Sequence, residues 1–344
     1  MDDYRNHNEP WDPSIYGTGR TRPRKSHGGI IALLLILVIC IALYLICRGA
    51  PSAFYAKEGL VCVGISWIVL SLVGCLPFYI SQEIPKFVDA LFEMVSGFTT
   101  TGASILSDVE ALPKGLLYWR SFSHWLGGMG VLVFLLAFTG GNGQGFTMHL
   151  LRAESPGPNV GKLVPKMRRT AMILYLIYIG LTLLQAVLLL CGGMPLFDTV
   201  TMTFSTAGTG GFGIKNDSLA SYSPYVQNVT TVFMILFGVN FNLYYLLLIG
   251  KLRSVFKSGE LWCYTAIAVV STALICINIF SLYGNFSDAL RYASFQVSSI
   301  MTTTGYATAD FNLWPLFSRS VLVILMFIGA CAGSTGGGMK CSRW

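Results

Sequence analysis

The sequence predicts an all-α membrane protein in which units of membrane helix, pore half-helix, polar turn and membrane helix repeat around an ion pore. Three observations carry this reading. Of the 344 residues, 53% are hydrophobic and 11% charged, whereas a soluble domain carries about 25% charged residues. Long apolar runs alternate with apolar segments too short to cross a bilayer. Each short segment leads into a Thr/Gly turn: Phe98-Thr99-Thr100-Thr101-Gly102-Ala103, the close repeat Met301-Thr302-Thr303-Thr304-Gly305-Tyr306, and the looser Gly208-Thr209-Gly210-Gly211-Phe212. Polar turns at membrane depth are tolerated only where protein buries them or where they line a watery cavity. Backbone carbonyls presented by such turns can replace the hydration shell of a potassium ion.

The elements follow in order. Residues 1–29 are polar, contain Pro10, Pro13 and Pro23, and are expected to be disordered. Residues 30–57 supply an extra N-terminal membrane helix, Ile30–Cys47, and a linker. Residues 58–145 form the first pore unit: span Gly59–Ile80, half-helix Phe87–Phe98, turn, span Leu116–Phe138. Residues 146–258 hold a basic connection and the second unit, with span Ala171–Leu190, half-helix Leu196–Ser205 and returning span Val226–Ile249. Residues 259–344 hold the third: span Leu261–Tyr283, half-helix Asp288–Ile300 and a last span opening at Val321–Ala332.

One register runs through the three copies. Asp89, Asp198 and Tyr292 each precede the glycines Gly102, Gly211 and Gly305 by thirteen residues, so that Phe92 matches Phe295 and Ser96 matches Ser299. Three copies in a single register mark an internal repeat. The net charge of +7 is concentrated in inter-helix segments, with Arg152, Lys162, Lys166, Arg168 and Arg169 in one and Lys251, Arg253 and Lys257 in the next. Membrane topology explains it better than nucleic acid, and the positive-inside rule puts these segments in the cytoplasm and the turns toward the outside. Arg20, Arg22, Arg24 and Lys25 fit that topology poorly. The nine cysteines include no CxxC pair and read as small membrane hydrophobes.

Each motif has a plainer alternative. Thr and Gly in the turns could serve helix packing alone, but packing does not require a half-length helix before each turn. The tract Gly329-Ala330-Cys331-Ala332-Gly333-Ser334-Thr335-Gly336-Gly337-Gly338-Met339-Lys340 lacks the Gly-Lys-Ser/Thr order of a phosphate loop; its glycines break the helix and predict a mobile intramembrane loop beneath the turns. Gly140–Gly145 reads as a turn at a helix end, and His124, beside Trp125, as an interface anchor. Glu93 stays open between adding negative field at an outer mouth and bonding nearby backbone. Asp89 and Asp198 read as helix caps. The spans hold no titratable cluster, which argues against an enzyme.

Together these motifs resemble the Trk/Ktr/HKT superfamily of potassium-uptake proteins, its TrkH branch most closely, from about Glu58 onward. The resemblance is carried by Leu76-Pro77-Phe78, the three turns, Trp125-Leu126-Gly127-Gly128-Met129-Gly130, Arg152-Ala153-Glu154-Ser155-Pro156-Gly157-Pro158 and Ala332-Gly333-Ser334-Thr335-Gly336-Gly337-Gly338-Met339-Lys340. It implies four pore units around one pore, a homodimer, a cytoplasmic nucleotide-binding regulatory subunit (TrkA-like), and residence in the plasma (inner) membrane, in contact with lipid. Potassium is then the cargo, with no cofactor and no nucleic-acid partner. The resemblance matches the filter to Thr100, Thr101, Gly102, Gly210, Gly211, Thr303, Thr304 and Gly305, and the gating loop to Gly333, Ser334, Thr335, Gly336, Gly337, Gly338 and Lys340. Only three of the four expected units are present, so the chain is expected to be truncated. Potassium uptake is the leading expectation; a sodium or mixed-cation transporter and a non-conducting subunit are the alternatives.

Overall fold

The computed structural model describes residues 56–130 and 167–341, with Val38 and Leu45 besides. The expected span Ile30–Cys47 (those two residues apart), the far end of Leu116–Phe138, the glycine run 140–145, the Arg152–Pro158 motif and most of the first basic connection lie outside the described residues.

Among the described residues the secondary structure is helical, with no strand beyond one isolated bridge between Ile328 and Met339. Helices α1 (Ala56–Gly74) and α2 (Leu76–Ile80) together form the first expected span, joined at Cys75 with Pro77 in the first turn of α2. Proline is tolerated there because that N–H has no helical partner. Helix α3 (Phe87–Phe98) is the first half-helix and α4 (Lys114–Gly128) follows its turn. Helices α5 (Met167–Cys191), α6 (Leu196–Ala207) and α7 (Pro224–Phe237) repeat that order. After α8 (Phe241–Leu248) and the short α9 (Leu252–Phe256), the order recurs as α10 (Gly259–Tyr283), α11 (Phe286–Met301) and α12 (Leu316–Phe327). Among the described residues, three helical segments are long and apolar enough to cross a membrane: Val63–Ile80 (α1 with α2), Met172–Cys191 and Gly259–Tyr283.

Helix α4 packs on α3 at one side and on α6 at the other, and its double glycine makes this possible. A β-carbon on Gly127 would lie 2.1 Å from the Phe98 carbonyl oxygen, and one on Gly128 would lie 2.6 Å from the Gly208 α-carbon. Any larger residue would push α4 away from both turns.

The expected span Val226–Ile249 is corrected. It breaks between α7 and α8, which meet at 90°. Gly238 and Val239 end α7, and the Asn240 side chain caps α8 by accepting from the Asn242 N–H at 3.0 Å. Breaking a helix at membrane depth frees backbone groups that must find partners within the protein. They find them in the glycine tract after α12. Cys331 N donates to Gly238 O at 3.0 Å, Thr335 Oγ1 donates to Phe237 O at 3.1 Å, and Phe241 N donates to Gly333 O at 3.0 Å. The kink and the loop satisfy each other. The last expected helix, Val321–Ala332, is likewise corrected: α12 starts earlier, at Leu316, and stops at Phe327.

Candidate functional site

The three Thr/Gly turns have one backbone form, and the sequence register locates it. In each, the amide five residues beyond a serine returns to that serine's carbonyl: Thr101 N to Ser96 O, Gly210 N to Ser205 O and Thr304 N to Ser299 O, all at 2.9 Å. Thr100, Thr209 and Thr303 have φ of 55°, 52° and 59°, and Gly102, Gly211 and Gly305, two residues later, have 74°, 81° and 88°. A threonine in this left-handed region is strained by roughly 1–2 kcal/mol, so the surrounding structure holds it there.

The turns also approach one another. A β-carbon on Gly102 would lie 1.9 Å from Gly210 O and 3.8 Å from Thr304 O; one on Gly211 would lie 1.9 Å from Thr304 O. Gly102, Gly210, Gly211 and Thr304 are thereby brought together, with Thr101 and Thr303 one residue to either side. Gly305 is exposed and has open space where its β-carbon would stand.

The glycine tract seats directly against two of these turns. Thr209 Oγ1 donates to Thr335 O at 3.0 Å, and Gly337 N donates to Thr303 Oγ1 at 2.7 Å. The Thr209 proton is shared with the Gly208 carbonyl, 2.7 Å from Oγ1, and the Thr303 hydroxyl donates to Thr302 O at 2.6 Å. Glu260, in the first turn of α10, accepts from Ala332 N at 2.6 Å. Lys340 Nζ donates to Gly336 O within the tract, and Ser334 Oγ donates to Cys331 O at 2.6 Å.

Sequence reasoning missed Arg120. It is 1% exposed, its Nη2 lies 2.7 Å from Glu93 Oε1, and its Nε donates to the same oxygen at 2.7 Å. Glu93 also accepts from Ser104 Oγ at 3.0 Å and from Ile105 N at 3.1 Å. The open choice for Glu93 thus resolves toward hydrogen bonding, with its charge matched by Arg120 rather than projected outward. The pair joins the half-helix α3 to α4 and is a single ion pair rather than a titratable cluster. The signal was available: a lone carboxylate and a lone guanidinium in apolar helices survive burial by pairing.

His124 is corrected too. It is fully buried and stacks on the Phe212 ring with centroids 4.0 Å apart, so it is no interface anchor. Asp89 and Asp198 do not cap their helices, whose N-caps are Lys86 and Pro195. Both lie in the first helical turn, where negative charge complements the helix dipole, and Asp198 accepts from Tyr222 Oη at 2.9 Å. Among the described residues no group of three or more His, Cys, Asp or Glu is placed to hold a metal ion.

Comparison with known proteins places this architecture. The model of the TrkH family, described as cation transport protein, matches residues 29–344. The Trk system potassium uptake protein TrkH of Salmonella typhimurium is 38% identical over 302 residues, covering 86% of this chain and 62% of that protein. The Halomonas elongata protein of the same name is 34% identical, covering 91% and 66%. The crystal structure of the potassium transporter TrkH from Vibrio parahaemolyticus matches with a TM-score of 0.77 at 32% identity, covering 92% of this chain and 66% of that one. The chain therefore spans less than two thirds of the length of these relatives.

Proposed function

The chain belongs to the TrkH family of cation transport proteins, and from that premise we propose that it is the pore-forming part of a potassium-uptake system of the plasma (inner) membrane. It is then a transporter, not an enzyme, with potassium as cargo and no cofactor. The filter is formed by Thr100, Thr101, Gly102, Gly210, Gly211, Thr303, Thr304 and Gly305, whose backbone carbonyls coordinate the ion. The observation that carries the reading is the meeting of the Gly210 and Thr304 carbonyls at Gly102, at 1.9 and 3.8 Å from its β-carbon position. Carbonyl oxygens gathered from separate turns are the chemistry that dehydrates potassium.

The tract Gly333–Gly338 with Lys340 is the gate. Its support is the pair of hydrogen bonds that join it to Thr209 and Thr303. The units run over residues 58–145, 146–258 and 259–344, after an N-terminal segment 1–29 and an extra helix with its linker at 30–57, and the open side of Gly305 accepts a further contribution to the ring. A homodimer and a cytoplasmic nucleotide-binding regulatory subunit (TrkA-like) complete the system. A sodium or mixed-cation preference is the second reading, favoured by the brevity of a filter with one glycine-centred turn per unit.

Expression in a bacterial strain that lacks potassium uptake tests this function. Growth on low potassium that Gly102→Asp abolishes supports it. Equal growth of the two, with both proteins in the membrane, contradicts it. Growth that depends on added sodium supports the second reading.

A further inference from the structure

Arg120 touches the exits of two different turns. On the first, its Nη2 donates to Ser104 Oγ at 3.2 Å, and it pairs with Glu93, which holds the Ile105 amide. On the second, its Nη1 donates to Gly213 O at 3.4 Å and its Cζ lies 4.0 Å from the centre of the Phe212 ring. Ser104 is two residues beyond Gly102, and Phe212 and Gly213 are the two residues beyond Gly211. One guanidinium thus spans both exits, just past the place where Gly102 meets Gly210.

We propose that Arg120 clasps the first two turns at a fixed spacing and so sets the ion preference of the ring. The second half of this inference rests on the potassium-filter reading given above. Joining α3 to α4 requires only the Glu93 pair. The contacts to Gly213 and Phe212 belong to the other turn, and only a planar, forked cation makes all of them at once. Lysine presents a point charge and cannot both pair with Glu93 and stack on Phe212. A carbonyl site that separates ions by size needs a spacing that does not relax around the smaller one, and this clasp supplies that stiffness. Arg120 is a positioning residue: it acts through the turns and does not reach the ion.

Two variants of the full chain, Arg120→Lys and Phe212→Leu, test the clasp by hydrogen exchange of the purified protein. They test its consequence by potassium-against-sodium competition for uptake into vesicles. Arg120→Lys is expected to speed exchange about tenfold in residues 103–106 and in residues 211–214, and to lower the potassium preference about tenfold. Phe212→Leu is expected to speed exchange in residues 211–214 alone and to lower the preference less. Unchanged exchange at 211–214 in Arg120→Lys overturns the clasp, leaving Arg120 a strut for the first turn. Faster exchange with an unchanged preference overturns its role in selection. Should Arg120→Lys not reach the membrane, Phe212→Leu is read against His124→Leu, which removes the other ring stacked on Phe212 and leaves Arg120 in place. Effects of Phe212→Leu on exchange and preference that exceed those of His124→Leu support the clasp, and effects no larger overturn it. A wild-type protein with no potassium preference overturns the filter reading and with it the selectivity half of the proposal, while the exchange comparison still decides the clasp.

Discussion

Gly102 stands so close to Gly210 that a β-carbon on the first would lie 1.9 Å from the carbonyl oxygen of the second. The same relationship joins Gly211 to Thr304, whereas Gly305 faces open space. Alanine at any of the three carries the strain of a positive φ, roughly 1–2 kcal/mol; at Gly102 and Gly211 it also collides with backbone. Thermal melting of the purified protein should rank Gly102→Ala and Gly211→Ala well below Gly305→Ala. Equal losses at all three would mean that the turns do not touch.

Gly97 and Ser123 make a second close approach, between α3 and α4. A β-carbon on Gly97 would lie 2.3 Å from Ser123 Oγ but 3.3 Å from Ser123 Cβ. Gly97→Ala alone should destabilise by about 1–3 kcal/mol, as overpacking does. Ser123→Ala should restore most of that loss, because it removes the atom in the way. A double-mutant cycle with no coupling between the two would contradict this packing.

Thr209 and Thr303 hold the glycine tract against the turns by one hydroxyl each. Valine keeps their shape and β-branching and removes the bond, which contributes about 1 kcal/mol. In Thr209→Val and Thr303→Val, hydrogen exchange across residues 331–338 should therefore quicken about fivefold. If the tract gates the pore, uptake should quicken as well. Faster exchange with slower uptake would argue that the tract supports the turns rather than closing them.

The loops that follow the first two turns meet through Asn216. It accepts from Val109 N at 2.8 Å, donates from its backbone to Glu110 at 3.1 Å, and donates from Nδ2 to Asp108 at 2.8 Å. The Asn216 side-chain bond holds the Asp108 carboxyl below its ordinary value. Because this pKa is depressed in the folded protein, its contribution is fully present above the ordinary carboxylate range, near pH 4, and is lost as pH falls through the lower folded value. The difference in melting temperature between the wild-type protein and Asp108→Asn should be constant from pH 7 to 5 and should shrink only below about pH 4. A difference that shrinks near pH 6 would assign the effect to another group.

The half-helices and their turns were legible in the chain because length and register carry that information locally. Phe87–Phe98 falls where the short apolar segment places it, and the positive φ values recur at the spacing of the repeat. The break after Phe237 was hidden by a run that is mostly apolar on both sides of it, since hydropathy is blind to where carbonyls go. Yet a glycine followed by a potential N-cap asparagine, Gly238-Val239-Asn240, is the stop-and-start signal of two helices. The partners of that break lie about a hundred residues along the chain, at Cys331, Gly333 and Thr335, and no local pattern announces them. The Arg120–Glu93 pair was half legible: each charge asked for a partner, but only the fold shows that they choose each other and that Phe212 joins them.

The potassium preference proposed for these turns can be read without conduction, by thermal stabilisation of the purified chain in matched potassium and sodium chloride. Potassium should raise the melting temperature more than sodium does, and Gly102→Asp and Gly211→Asp should abolish the difference. Equal stabilisation of the wild-type chain by both ions, or a difference that survives both substitutions, would mean that the turns do not select potassium.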